Sequence, residues 1–259
     1  MYRDRSVQIK RLKPLDESNP KFKTKIDEFK REMEITEKCQ HPFISEFIGT
    51  VIIPGKLTIV TETSEYLSIY DLIKKEKDPL PLKLRIKFCH DASLAIKYLH
   101  KNGVMHRNIK PAHFLVTSLD KDESINVKIS GFGTARYVDF TSINPQYTKN
   151  VGTPAYMSPE IFNHADYNIP TDIYSFAITM LEIMVWNDAF PSEKYPYAWD
   201  ISDAVKSGKR PESIEQVTNH DMKQLIQMCW KQETFERLPI KDVCDQLAKI
   251  YDFQQIVSN

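Results

Sequence analysis

Apolar and polar residues alternate along the first quarter of the chain, and this period of two predicts β-strands. The alternation runs from Val7 to Leu12, and a polar connection follows from Pro14 to Pro20. Two more strands are predicted at Ile44 to Ile53 and at Leu57 to Thr61, with a tight turn at Gly55 between them. Most of the predicted β-structure therefore lies before residue 63.

A helical period predicts most of the remaining elements. One amphipathic helix, with Ile26, Phe29 and Met33 on one face, is predicted between the first two strands and ends near Cys39. Later helices are predicted around Leu84 to Leu99, from Thr171 to Trp186, from Asp221 to Trp230 and from Ile240 to Tyr251. Between them lie a short β region from Val104 to Ile129, interrupted by the polar segment Thr117 to Asn126, and a loop from Gly131 to Glu160. Strands followed by helices favour an α+β fold.

Composition narrows the class of protein. The 259 residues include 35 basic and 35 acidic side chains, so a broad surface for nucleic acid or anionic membrane is not expected. The four cysteines are far apart, which predicts reduced thiols rather than a zinc site or disulfide bonds. The most apolar run, Ser175 to Trp186, is short and contains Glu182, and the N-terminus lacks the apolar core of a secretory signal. We expect a cytoplasmic globular protein.

Two motifs carry the candidate chemistry. The stretch from His106 to Leu115 has the letters H-R-N-I-K-P-A-H-F-L, and Gly131 opens the triplet G-F-G. They resemble the protein kinase motifs H-R-D-x-K-P-x-N-x-L and D-F-G, in which the first Asp is the catalytic base and the Asn and second Asp bind magnesium. Asn108, His113 and Gly131 stand at those three positions here, while the lysine of the first motif is kept as Lys110.

Further matches extend the resemblance over the whole chain. Val7 to Lys10 resembles the V-A-I-K strand, and Glu32 matches the helix glutamate that pairs with its lysine. Glu160, in Ser-Pro-Glu, matches the A-P-E glutamate, Arg237 matches the arginine that holds it, and Asp172 matches an aspartate of a large-lobe helix. The resemblance implies one bilobal kinase-like domain. Residues 1–62 would form a small β-rich lobe that lacks the glycine-rich strand pair, and residues 63–259 a large helical lobe.

The same resemblance assigns nucleotide-binding roles. Lys10, held by Glu32, would contact the α- and β-phosphates, although such a pair can also be a surface contact worth under about 1 kcal/mol. Thr61 would guard the back pocket, Glu62 and Ser64 would belong to the hinge, and Leu115 would form the adenine floor. However, Gln8 replaces the small alanine of the adenine roof, and only six residues precede Val7, where the glycine-rich loop is expected. ATP is therefore expected to bind weakly if at all.

The substitutions bear directly on catalysis. The amide of Asn108 cannot accept a proton as a carboxylate does, and base catalysis contributes about 10²–10⁴ in rate. Gly131 offers no oxygen ligand and His113 is a poorer ligand for magnesium than an amide oxygen, so magnesium is not expected. Phosphoryl transfer is predicted to be lost.

Regulatory features of the family are partly kept. Arg107 resembles the arginine that receives a phosphate from the activation loop. Candidate acceptor hydroxyls in that loop are Thr134, Tyr137, Thr141, Ser142, Tyr147 and Thr148. His106, Phe132 and Phe47 match three positions of the regulatory stack of side chains, and Thr36 is a polar departure at the fourth.

The predicted function is a pseudokinase, a catalytically inactive binding or allosteric module whose partner is an active kinase or a scaffold protein. Lys110-Pro111 and the segment from Gly152 to Met157 are similar to Ser/Thr kinases, and Met228 to Trp230 is similar to their tyrosine-kinase-like branch. Two alternatives remain: a Ser/Thr kinase of low or atypical activity, and a structural remnant without a ligand.

Overall fold

A three-stranded antiparallel sheet forms the N-terminal part of the protein in the computed structural model, which describes residues 6–12, 22–53, 56–138 and 151–257. The strands are β1 (Val7–Arg11), β2 (Phe47–Ile53) and β3 (Lys56–Glu62), in the order β1-β3-β2. Gln8 pairs with Thr61 and Lys10 with Ile59 across β1 and β3. These strands agree with the sequence pattern. The predicted connection at residues 14–20 and the turn at Gly55 lie outside the described residues.

The amphipathic helix predicted after the first strand is α1 (Phe22–Lys38). It buries Phe29, Glu32, Ile35 and Thr36, and its exposed face carries most of its charged residues. Because Phe29, Glu32 and Thr36 are spaced by three and four residues, they lie on one side of the helix. α1 therefore presents a carboxylate to the interior of the protein, next to the segment Phe132–Thr134.

Helices dominate the rest of the chain. They are α2 (Ile69–Lys75), α3 (Leu82–Lys101), α4 (Pro159–Phe162), α5 (Ile169–Val185), α6 (Ala198–Lys206), α7 (His220–Cys229) and α8 (Ile240–Val257). α5 is buried along most of its length, which explains its nearly continuous apolar sequence. Asn168 caps it by accepting a hydrogen bond from the backbone N–H of Thr171.

Two short strand pairs lie in the chain between α3 and α4. β4 (Val104–Met105) pairs with β7 (Arg136–Tyr137), and β5 (Phe114–Val116) pairs with β6 (Val127–Ile129). The polar segment Thr117 to Asn126 connects β5 to β6, and its end is tied to α3 because Asp91 accepts the backbone N–H of Asn126 at 2.7 Å. The β5–β6 pairing brings the residue before β5 beside the residue after β6, so His113 and Ser130 are neighbours.

The state of the cysteines and the length of the apolar helices can be compared with the expectations from composition. All four cysteines, Cys39, Cys89, Cys229 and Cys244, are free and buried. Within the described ranges, no helix combines the length and apolar character that crossing a bilayer requires. The division of the chain at residues 62 and 63 into two lobes stays a prediction.

Candidate active-site cleft

A cleft of about 330 Å³ lies between the three-stranded sheet and the β5–β6 pair. Six of the residues at positions that bind nucleotide or magnesium in the family line it: Lys10, Glu32, Thr61, His113, Leu115 and Gly131. Gln8, the predicted departure in the adenine roof, lines it as well. The segments that carry these residues are far apart in the sequence, and the fold brings them to one cavity.

Lys10 and Glu32 form an ion pair across this cleft. The Lys10 Nζ atom is 2.5 Å from Glu32 Oε1, and the lysine side chain is 55% exposed whereas the glutamate is 10% exposed. The backbone of Gly133 approaches the pair closely, since a Cβ built there would be 3.0 Å from Lys10 Nζ. β1, α1 and the G-F-G segment therefore meet at this ion pair.

The side chains of Glu62 and Ser64 turn to partners within the protein. The Glu62 carboxylate accepts hydrogen bonds from Lys128 Nζ at 2.7 and 2.9 Å, and it also accepts the backbone N–H of Glu46. The Ser64 hydroxyl donates to the carbonyl oxygen of Val116. Neither side chain lines the described cleft. A role for these residues in a hinge would thus depend on their backbone.

Asn108 is held in a short chain of hydrogen bonds. Its Oδ1 atom accepts the hydroxyl of Thr153 at 3.1 Å, and that hydroxyl oxygen accepts a hydrogen bond from Lys110 Nζ at 2.9 Å. Burial lowers the pKa of Lys110. The arrangement orients the amide but gives it no basicity, because a neutral amide oxygen does not take up a proton near pH 7. Thr153 lies in the segment that is similar to Ser/Thr kinases, but that similarity does not assign it to the site.

The His113 imidazole fills the space beside Gly131. Gly131 has φ +83°, and a Cβ at this position would lie 2.7 Å from His113 Cδ2 and 2.8 Å from Cγ. The His113 Nδ1 atom is 2.8 Å from the carbonyl oxygen of Asn108, so Nδ1 carries the proton. Burial, followed by the nearby His106, lowers the pKa of His113 to about 3, and the ring is neutral at physiological pH.

Oxygen ligands for a divalent cation are scarce in this cleft. Glu32 is the one carboxylate among the described lining residues, and it is paired with Lys10. Gly131 provides no side chain and His113 provides a nitrogen. In the described part of the chain, no three His, Cys, Asp or Glu side chains cluster as metal ligands would. These residues do not fit magnesium, which prefers carboxylate and water oxygens.

Asp172 anchors the segment that precedes Asn108. Its carboxylate accepts the backbone N–H groups of His106 and Arg107, both at 2.8 Å, and contacts His100 Nε2 at 3.0 Å. Burial alone would raise the pKa of Asp172, but its hydrogen bonds and the neighbouring imidazoles hold it below the usual value. Arg107 has φ +66°, a conformation that is uncommon for a residue with a side chain. The two hydrogen bonds to Asp172 help to keep the backbone in this conformation.

Part of the predicted regulatory stack is assembled. The rings of His106 and Phe132 meet edge to face, with centroids 5.5 Å apart. The hydroxyl of Thr36 donates to the carbonyl oxygen of Glu32 at 2.7 Å, so its polar group is satisfied within α1. Phe47 lies on β2 and is partly buried.

Arg237 and Glu160 form a buried bidentate pair. Both guanidinium nitrogens Nη1 and Nη2 are 2.7 Å from a carboxylate oxygen of Glu160, and the arginine side chain is fully buried. Arg237 also donates to the carbonyl oxygen of Pro170 at 3.0 Å. The pair therefore joins α4, the start of α5 and the segment before α8.

The positive charge of Arg107 acts on Arg136. Its guanidinium stacks over the ring of Tyr167 at 4.5 Å. Burial, followed by the positive charges of Arg31 and Arg107, lowers the pKa of Arg136 to about 10. The kinase motifs do not point to Arg31 or Arg136, because each is separated from Arg107 by a long or irregular stretch of sequence.

Of the candidate acceptor hydroxyls, Thr134 and Tyr137 are described. The Thr134 hydroxyl donates to the carbonyl oxygen of His106 at 2.9 Å, whereas Tyr137 is exposed. The other four candidates, Thr141, Ser142, Tyr147 and Thr148, lie outside the described residues.

Known proteins resemble this chain over most of its length. The protein kinase domain matches residues 2–247. The dual specificity protein kinase shkC of Dictyostelium discoideum is 31% identical over 227 residues, which cover 87% of this chain and 44% of shkC. The serine/threonine-protein kinase STY46 of Arabidopsis thaliana is 31% identical over 251 residues, which cover 96% of this chain and 41% of STY46. This chain spans less than half the length of these relatives.

Proposed function

Because the chain belongs to the protein kinase family, we propose that it is a member without phosphotransfer activity that acts by binding another protein. In this proposal residues 1–62 and 63–259 form the two lobes of one domain. The partner is an active kinase or a scaffold protein, and the setting is the cytoplasm. The activity and partners of any longer protein that contains this chain belong to the same proposal.

The packing of His113 beside position 131 is the observation that best supports an absence of phosphotransfer. The space that a side chain at position 131 would need is occupied by His113, whose Cδ2 atom would be 2.7 Å from a Cβ there. The sequence thus has no carboxylate at the magnesium position, and the Cβ of an aspartate there would meet the His113 ring unless that ring moved. Asn108 adds a second defect, because its amide cannot remove a proton from a substrate hydroxyl. Since both defects affect the same chemical step, their combined effect is to reduce transfer to background.

The intact framework supports a binding role. The Lys10–Glu32 pair, the Asp172 hydrogen bonds and the Arg237–Glu160 pair are all formed. They join β1 to α1, the segment before Asn108 to α5, and α4 to the segment before α8. A fixed surface is what recognition of another protein requires, because less conformational entropy is lost on binding.

A transfer assay tests the proposal. The protein is incubated with radiolabelled ATP, magnesium and a generic protein substrate, and label on the substrate and on the chain itself is measured. The matched control is Lys10→Ala, which removes the one cation that lines the described cleft. We expect equal, background label for both proteins. Label above the Lys10→Ala background would overturn the proposal.

A Ser/Thr kinase of low or atypical activity is the second candidate. The formed Lys10–Glu32 pair favours it, as does the hydrogen bond from Lys110 to Thr153. The relatives named above are described as kinases. The same assay separates the two, because this candidate requires label that Lys10→Ala abolishes.

A further inference from the structure

The ionised side chains described as lining the cleft carry no net charge. Among the described residues that line it, Lys10 and Glu32 are the ones with ionised side chains, and they neutralise each other. His113 contributes no charge because its pKa is about 3. A polyphosphate would therefore exchange its water shell for a cavity with no net positive charge and no fitting magnesium site. Such a transfer of charge out of water is unfavourable.

Three hydroxyl groups that line the cleft are available to a ligand as acceptors. Thr36, Ser45 and Ser130 each donate their hydroxyl hydrogen to a backbone carbonyl oxygen, at 2.7, 3.2 and 3.1 Å respectively. Their remaining capacity is to accept hydrogen bonds. Phosphate oxygens also only accept, so they gain little from these hydroxyls.

His113 extends this acceptor surface. Its Nδ1 atom donates to the carbonyl oxygen of Asn108, so the unprotonated Nε2 atom carries a lone pair. A Cβ built on Gly131 would be 2.7 Å from Cδ2, 2.8 Å from Cγ and 3.0 Å from Nε2, so Gly131 lies against the face of the ring and does not cover the in-plane lone pair of Nε2. Both residues line the cleft. Where the family has an amide oxygen for a metal ion, this chain has a neutral nitrogen acceptor for an N–H or O–H group.

We infer that the cleft binds an uncharged ligand of nucleoside size, which donates hydrogen bonds to His113 and the hydroxyl oxygens, without a divalent cation. The cavity volume of about 330 Å³ lies at the lower end of the range for small-molecule sites. The inference rests on the proposed absence of phosphotransfer at the same cleft. It differs from that proposal by specifying what the cleft binds.

Binding of adenosine and ATP to the full chain tests the inference. Each is titrated calorimetrically in EDTA and again with magnesium, and adenosine serves as a nucleoside without charge. We expect adenosine to bind at least as tightly as ATP, and neither affinity to change with magnesium. Tighter binding of ATP in magnesium would overturn the inference, and so would no binding of adenosine at millimolar concentration.

Variants of His113 test its contact with the ligand. His113→Phe keeps a ring but removes the acceptor, and it is expected to weaken adenosine binding roughly three- to tenfold, the effect of one lost hydrogen bond. His113→Gln keeps an acceptor, so it should bind adenosine more tightly than His113→Phe or His113→Ala. It also replaces His113→Phe in this test if that variant unfolds. The matched control is His90→Phe, on α3 against Tyr251, which should leave the affinity unchanged. Equal affinity of the His113 variants and the unaltered protein would contradict the inference.

Each of the two proposals can be overturned without overturning the other. Adenosine has no phosphoryl group to transfer, so its binding does not depend on catalysis. Label transfer above background would overturn the proposed function and leave the adenosine result standing. Magnesium-dependent binding of ATP without transfer would overturn only the inference about the ligand.

Discussion

Tyr156 donates a hydrogen bond of 2.7 Å to the carboxyl group of Glu182, joining the loop before α4 to the last turn of α5. The other carboxyl oxygen accepts the backbone N–H of Ala189 at 2.9 Å. Burial raises the pKa of Glu182 from its usual 4.5 to about 7. From the sequence, Glu182 is only a charge within an apolar helix, because the burial of one residue cannot be inferred from its spacing.

This raised pKa predicts a stability that depends on pH. The folded protein holds the Glu182 proton more tightly than the unfolded chain, so the stabilisation is fully present below pH 4.5 and is lost as pH rises through 7. Glu182→Gln has no charge; its amide oxygen accepts the backbone N–H of Ala189, and its NH2 group donates to the hydroxyl oxygen of Tyr156. We expect it to stabilise the protein by about 1–3 kcal/mol at pH 8 and to have little effect at pH 5. Urea unfolding at both pH values measures the difference.

An exposed glutamate provides the control for this experiment. Glu236→Gln makes the same chemical change at an exposed position and should alter the free energy of unfolding equally at both pH values. A Glu182→Gln variant with the same pH dependence as the unaltered protein would show that Glu182 does not cause it.

The contact between His113 and Gly131 predicts a coupling between the two positions. Gly131→Ala is expected to be destabilised by the left-handed backbone, which costs about 1–2 kcal/mol, and further by the clash with the imidazole. Gly208→Ala is the matched control, because Gly208 has φ +84° and open space around its Cβ position. In a His113→Ala background, Gly131→Ala should cost no more than Gly208→Ala. Equal costs for the two glycine variants in the unaltered background would rule out the clash.

The Arg237–Glu160 pair predicts a large effect of a conservative substitution. Arg237→Lys retains the charge but loses the bidentate geometry in a buried setting. We expect it to lower the free energy of unfolding by about 2–4 kcal/mol, as expected for a damaged buried pair. The control is Lys241→Gln, which breaks an exposed pair with Asp245 and should leave the unfolding midpoint unchanged. A midpoint for Arg237→Lys close to that of the control would contradict the prediction.

Lys10→Ala is predicted to remain folded. The Lys10 side chain is more than half exposed, so the ion pair with Glu32 is screened by solvent. Its removal is expected to cost under about 1 kcal/mol. Thermal unfolding of the variant checks this, and a loss above about 2 kcal/mol, beyond the range for an exposed pair, would mean that the lysine has a structural role. The result also decides whether the variant is a valid control for phosphotransfer.

Periodicity predicts the long helices well because each buries a continuous face. The pattern places the start or end of α1, α3, α5, α7 and α8 within a few residues of the observed bounds. It does not predict α2 or α6, since helices of seven and nine residues contain only about two turns. α2 depends instead on the cap at Ser68, whose hydroxyl and backbone bond with Asp71. Such a local interaction leaves no periodic signal.

Motif spacing predicts which residues meet in the cleft but not what their side chains contact. Lys10 and Glu32 are 22 residues apart and pair as the family resemblance implies. The clash between His113 and position 131 depends on a left-handed φ angle and on the direction of a ring, and neither can be read from residue types alone. The internal partners of Glu62 and Ser64 are hidden for the same reason. The structure thus adds the packing that decides which chemistry the cleft permits.

The packing of His113 against Gly131 also constrains the order in which this site can change over time. An aspartate that arises at position 131 while His113 is present meets a steric barrier and gives a less stable protein. An aspartate at position 131 is therefore expected to destabilise the protein less after His113 has been replaced than before, so the effects of substitutions at these two positions depend on their order.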